Sequence, residues 1–139
     1  MMRKLIIYSD GASRGNPGPA GIGILICDET GEVVKDYEEF IGTATNNGAE
    51  YRALLKALDL VHSFGAREVE CFSDSELMVK QLNGEYAIKN PRLQELFLQV
   101  REKEQLFGKV SYRHVSREDA LIMKADELAN RAIAKKQRA

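Results

Sequence analysis

Gly21-Ile22-Gly23-Ile24-Leu25-Ile26-Cys27, followed by Asp28-Glu29-Thr30-Gly31-Glu32, is the stretch on which the fold turns. Its uncharged run, rich in β-branched side chains, reads as a strand, and the polar segment after it reads as a hairpin turn. Upstream, Leu5-Ile6-Ile7-Tyr8 reads as a buried strand, stopped by the Gly/Pro-rich stretch Gly11-Ala12-Ser13-Arg14-Gly15-Asn16-Pro17-Gly18-Pro19. Downstream, Val33 to Ile41 is a third strand whose charges place it near an edge. Short turns join the three, which predicts an antiparallel meander.

The period then changes. Ala53, Leu54, Ala57, Leu58 and Val61 repeat at helical spacing, with an N-cap from Thr45-Asn46-Asn47 and a stop at Gly65. Val69-Glu70-Cys71-Phe72 is a fourth strand, reached by a helical crossover and so able to run parallel to the first. A short helix is expected from about Ser75 to Leu82 and another from Pro91, carrying Leu93, Leu96, Phe97 and Val100. Val110 to Val115 reads as a fifth strand. A terminal helix carries Ala125, Leu128, Ala129, Ala132 and Ile133 on one face. The order predicts an α/β fold: a five-stranded mixed sheet, a three-strand meander plus two further strands, with helices on both faces.

The 139 residues are 44% hydrophobic and 29% charged, the make-up of one domain over residues 1–139. Cys27 and Cys71 lie in apolar runs and read as buried free thiols. Met1-Met2-Arg3-Lys4 leads into only four non-polar or aromatic residues, Leu5 to Tyr8, unlike a secretory signal. No stretch nears the roughly 18 apolar residues of a membrane span, so a soluble, cytoplasmic protein is expected. The formal net charge of −1 neither announces nor forbids a polyanionic partner, and Lys135-Lys136-Gln137-Arg138 reads as a solvated tail.

Four carboxylates stand where the pattern asks for something else. Asp10 and Asp74 each end an apolar strand. Glu50, in the first turn of the first long helix, shares a face with Leu54, Ala57, Leu58 and Val61. Asp126 opens the last helix and shares a face with Ala129 and Ile133. Singly, each fits helix-dipole or turn-capping roles. Together, with the first and fourth strands parallel and adjacent, they converge at the carboxyl edge of the sheet, where open α/β sheets place their sites. Converging carboxylates take up protons or bind hard cations. A donor set of oxygens alone selects Mg²⁺ or Mn²⁺. Two such ions about 3.5–4 Å apart suit phosphodiester hydrolysis.

The motifs Tyr8-Ser9-Asp10-Gly11-Ala12-Ser13-Arg14-Gly15-Asn16-Pro17-Gly18, Thr45-Asn46-Asn47-Gly48-Ala49-Glu50-Tyr51, Ser73-Asp74-Ser75-Glu76-Leu77 and Ala125-Asp126-Glu127-Leu128-Ala129-Asn130 span nearly the whole chain. With them the sequence resembles type 1 ribonuclease H in its compact bacterial and archaeal form. The resemblance implies a ribonuclease H-like fold and a catalytic, metal-binding tetrad of Asp10, Glu50, Asp74 and Asp126. It implies two Mg²⁺ per site, with Mn²⁺ as a substitute, and cleavage of the RNA strand of RNA/DNA hybrids to 5′-phosphate and 3′-hydroxyl ends. Asn16, Asn46 and Asn47 are implied to face the minor groove, and Thr45 to help hold a DNA-strand phosphate. A monomer is expected.

The chain also departs from the family's pattern. Glu76 stands where the family often has Gln, and as an ionised acid it accepts a hydrogen bond from a 2′-hydroxyl but cannot donate; it is a candidate substrate contact. Ser116 to Lys124 is longer than in compact relatives and lacks their Asn, which predicts an altered loop before Asp126. Asp119 would reach the site only if that loop folded back. His114 is read as structural and His62 as surface. The family's basic, Trp-rich protrusion is absent, leaving Lys80, Lys89 and Arg92 as phosphate contacts or solvated charge. Two further functions are weighed: a duplex ribonuclease that also cuts double-stranded RNA, and a non-catalytic hybrid-binding module. A 3′→5′ exonuclease would carry Asp-x-Glu on its first strand, and Asp10-Gly11-Ala12 lacks the Glu.

Overall fold

The computed structural model describes residues 3–138. Its elements are β1 (Lys4–Ser13), β2 (Gly18–Cys27), β3 (Val33–Ala44), α1 (Asn46–Ser63), β4 (Glu68–Ser73), α2 (Glu76–Leu82), α3 (Pro91–Glu104), β5 (Lys109–His114) and α4 (Ala120–Arg138). The sheet order is β3-β2-β1-β4-β5. β1, β2 and β3 form the antiparallel meander, while β1 pairs with β4 and β4 with β5 in parallel.

Alternation along β2 sorts the two faces. Ile22, Ile24 and Ile26 enter one core with Leu5 and Ile7 of β1, Leu54 and Leu58 of α1, and Leu93 and Leu96 of α3. Gly21 and Gly23 face the other way, beneath α4. The α4 side chains that seal this second face are Ala125, Leu128, Ala129, Ala132 and Ile133, all buried. Cys27 and Cys71 are buried free thiols, as expected. Among the described residues, no helix is long and apolar enough to cross a membrane.

Three boundaries that bear on the acids differ from the sequence reading. β1 does not stop at Tyr8: β2 supplies ladder partners as far as Ser13, opposite Ala20, so Gly11-Ala12-Ser13 continue the strand. Asp10 therefore lies within β1 rather than at its end. It comes just after the parallel pairing with β4, whose last pair is Tyr8 with Phe72. Glu50 is in the second turn of α1, since that helix begins at Asn46.

The third difference concerns Asp126. It does not open α4, because that helix begins at Ala120. Asp119 Oδ1 accepts from the N–H groups of Leu121 at 2.9 Å and Ile122 at 3.1 Å, a cap that turns most of the extended segment into helix. So the expected altered loop is short, and Asp126 sits in the second turn. Asp119 is used as this cap.

Candidate active site

The β1–β4 register sets the site. Tyr8 lies opposite Phe72, and continuing that register brings Asp10 alongside Asp74, just past the end of β4. Two glycines then let helices approach the backbone. A Cβ on Gly11 would lie 2.2 Å from the Ala49 carbonyl carbon, so only glycine allows α1 to lie this close to β1. The contact is closed by Gly11 N–H donating to Glu50 Oε1 at 2.9 Å, which brings Glu50 beside Asp10. On the opposite face, a Cβ on Gly23 would lie 2.0 Å from the Ala125 carbonyl oxygen. Gly23 is the β2 partner of Asp10, so the residue after Ala125, Asp126, arrives at the same place.

Asp10, Glu50 and Asp74 each offer a carboxylate oxygen within 4.8 Å of the others. Asp10 is buried, Glu50 and Asp74 are half-buried, and Asp126 is exposed at the rim. All four line one cleft of about 460 Å³. Burial, then the neighbouring Glu50 and Asp74 charges and a hydrogen bond to Asp126, push the Asp10 carboxyl up to about 11. Burial is also the first cause for Glu50, pushed up to about 8, with the Gly11 N–H opposing the rise and Asp74 adding to it. An all-oxygen cluster that resists carrying its own charge fits a hard divalent cation, which would relieve both the repulsion and the desolvation. The donor chemistry supports divalent metal use.

Of the other expected site residues, only Asn46 lines this cleft. Asn16 stands behind it, its Oδ1 accepting from Asn46 N–H at 3.1 Å. Asn47 is exposed on the first turn of α1. Thr45 caps α1, Oγ1 accepting from Gly48 N–H at 3.0 Å, and lies in a separate recess of about 210 Å³ with Thr43, Arg52 and Arg92. Glu76 opens α2 outside the cleft and pairs with Lys80 at 2.7 Å. His114 ends β5 and is exposed rather than a core histidine. His62 is at the surface, edge-on to Phe107.

Two lining residues were not singled out from sequence. Asn130 donates through Nδ2 to Asp126 Oδ1 at 3.1 Å and so orients that carboxylate. Its signal was available, since it lies four residues after Asp126 on the same helix face. Arg117 lines the cleft from the segment before α4. No spacing rule points to it.

A family model described as reverse transcriptase-like matches residues 8–132. The chain is 40% identical over 131 residues to a bifunctional protein of Mycobacterium tuberculosis, covering 94% of this chain and 35% of that protein. It thus spans about a third of the length of the first curated relatives it matches. The crystal structure of RNase H1 from the halophilic archaeon Halobacterium salinarum superposes with a TM-score of 0.91 at 41% identity, covering 95% of this chain and 98% of that one. LC11-RNase H1, solved in complex with an RNA/DNA hybrid, gives 0.90 at 43% identity, covering 96% and 99%.

Proposed function

The chain belongs to the type 1 ribonuclease H family in its compact form, and on that premise we propose that it is an endonuclease hydrolysing the RNA strand of RNA/DNA hybrids. The observation that carries this is the convergence of Asp10, Glu50 and Asp74 within 4.8 Å, with Asp126 on the same cleft. A hybrid bound to LC11-RNase H1 supports the choice of duplex. We take residues 1–139 as one ribonuclease H domain, acting as a monomer in the cytoplasm.

In this reading Asp10, Glu50, Asp74 and Asp126 hold two Mg²⁺ ions, with Mn²⁺ able to replace them. When bound, the ions supply an activated water nucleophile and stabilisation of the leaving 3′ oxygen, giving 5′-phosphate and 3′-hydroxyl ends. The chain's own groups position the reaction. Gly11 N–H fixes Glu50 and Asn130 fixes Asp126, so neither carboxylate must be ordered when substrate arrives. Arg117, the cationic residue among those lining the cleft, is assigned the phosphate under attack.

Specificity is assigned to the groove beside the cleft. Asn16 uses its carbonyl oxygen on Asn46, which leaves its amide N–H groups to donate to base edges. Asn46 and Asn47 each add a donor and an acceptor suited to the 2′-hydroxyls of a wide minor groove. The recess of Thr45, Arg52 and Arg92 at the N-terminus of α1 takes a phosphate of the uncut strand.

The test presents end-labelled RNA/DNA hybrid, double-stranded RNA, double-stranded DNA and single-stranded RNA with Mg²⁺, Mn²⁺ or excess EDTA. Metal-dependent internal cuts confined to the RNA of the hybrid are expected. Cuts in double-stranded RNA as well would broaden the activity to a duplex ribonuclease. Binding without cleavage of any substrate would overturn the enzyme reading in favour of a hybrid-binding module.

A further inference from the structure

Just outside the cleft, next to a residue that lines it, stands an exposed acid. Ser75 lines the cleft and caps α2, so Glu76 is the next residue outward, its side chain 59% exposed. A bare carboxylate here would oppose binding, since like charges across an interface select against the partner that brings them. It is not bare. Lys80, one turn along α2, places Nζ 2.7 Å from Glu76 Oε1.

Lys80 is itself held. Its Nζ donates to the Tyr86 hydroxyl at 3.3 Å and lies 5.0 Å from the centroid of that ring. Tyr86 is tied in turn, because the N–H groups of Glu85 and Tyr86 both donate to the Lys80 carbonyl, at 2.8 and 3.3 Å. The other titratable group facing Glu76 is His114, at the end of β5. Among the described residues the Glu76 side chain has no partner besides Lys80, so Oε2 is free to accept a hydrogen bond.

We propose that Lys80, braced by Tyr86, is a positioning residue for substrate binding: it cancels the charge of Glu76 and aims its free oxygen at the duplex. The acid then offers a hydrogen-bond acceptor to a ribose hydroxyl without repelling the phosphates. This rests on the hybrid-cleavage reading above and deepens it.

The test is a double-mutant cycle on hybrid affinity, read in the non-cleaving Asp10→Asn protein with Mg²⁺ present. Lys80→Ala is expected to weaken binding by about fivefold near 50 mM salt and by less than about twofold near 500 mM, because the exposed Glu76 charge is then screened. Glu76→Gln is expected to tighten binding, and adding Lys80→Ala to it to cost less than about twofold. Lys80→Arg should restore affinity in the Glu76 protein. Equal losses from Lys80→Ala in both backgrounds would overturn the proposal and make Lys80 an independent phosphate contact. A loss that persists at high salt would overturn it too, by making the role structural. If the Asp10→Asn protein with Glu76 and Lys80 intact binds no hybrid, the functional premise falls and the proposal with it.

Discussion

Asp10 shows how much one residue's surroundings decide. Its carboxyl is buried against Glu50 and Asp74, and burial heads the causes that push both Asp10 and Glu50 upward. A group whose folded pKa is raised adds stability below its unfolded pKa and loses it as pH rises toward the folded one. The unfolded values are 3.8 and 4.5, and the folded values about 11 and about 8. The metal-free protein should therefore lose stability from about pH 4 upward through neutrality. Thermal unfolding in EDTA from pH 5 to pH 8 should show a falling Tm that millimolar Mg²⁺ restores; a flat profile would count against the charged cluster. Asp10→Asn removes one of the mutually repelling acids at nearly constant volume. It should abolish cleavage while raising the metal-free Tm at pH 8 by roughly 3–6 °C. Full cleavage by that variant would remove Asp10 from the assigned tetrad.

Among the elements, α1 and α4 deliver Glu50 and Asp126 from opposite faces of the sheet, and each does so across a glycine. Gly23 allows no alternative, because the atom its Cβ would strike is the Ala125 carbonyl oxygen at 2.0 Å, part of the helix backbone. Gly23→Ala should push α4 outward, costing at least about 1–3 kcal/mol and lowering kcat as Asp126 leaves the cluster. Asp119→Ala removes only the cap of α4 and should cost about 1 kcal/mol with little change in kcat. Urea midpoints and initial rates measured side by side separate the two, since only the first displaces a carboxylate. Equal loss of activity in both variants would mean that α4 is set by its cap rather than by its seat on β2.

Over the whole molecule, acids and bases nearly cancel, so attraction to a duplex must come from where charge sits rather than how much there is. Carboxylates gather in the cleft, while Arg52 and Arg92 line a recess that contains no acid. Hybrid affinity should fall steeply with salt, and Arg92→Ala should lessen the log–log salt slope by about 0.7–0.9, the contribution of one phosphate. KM should rise at low salt while kcat is little changed. An unaltered slope would place Arg92 off the path of the duplex.

The alternating strands, the change of period after Ala44 and the acids in four motifs are local features, and local pattern was enough for the sheet, its parallel crossover and the residues of the cluster. Gly11 and Gly23 look in sequence like ordinary strand or turn glycines. Only the packed helices reveal them as the points where Glu50 and Asp126 are brought in. The length of β1 depended on ladder partners from β2, and the start of α4 on a cap by the Asp119 side chain. Arg117 had no periodicity to mark it, since its place in the cleft depends on the path of a short segment between β5 and α4. What tertiary structure alone decided was distance. A carboxylate is legible in one dimension, but the proximity that shifts its pKa and calls for a cation exists only when segments far apart in the chain close around it.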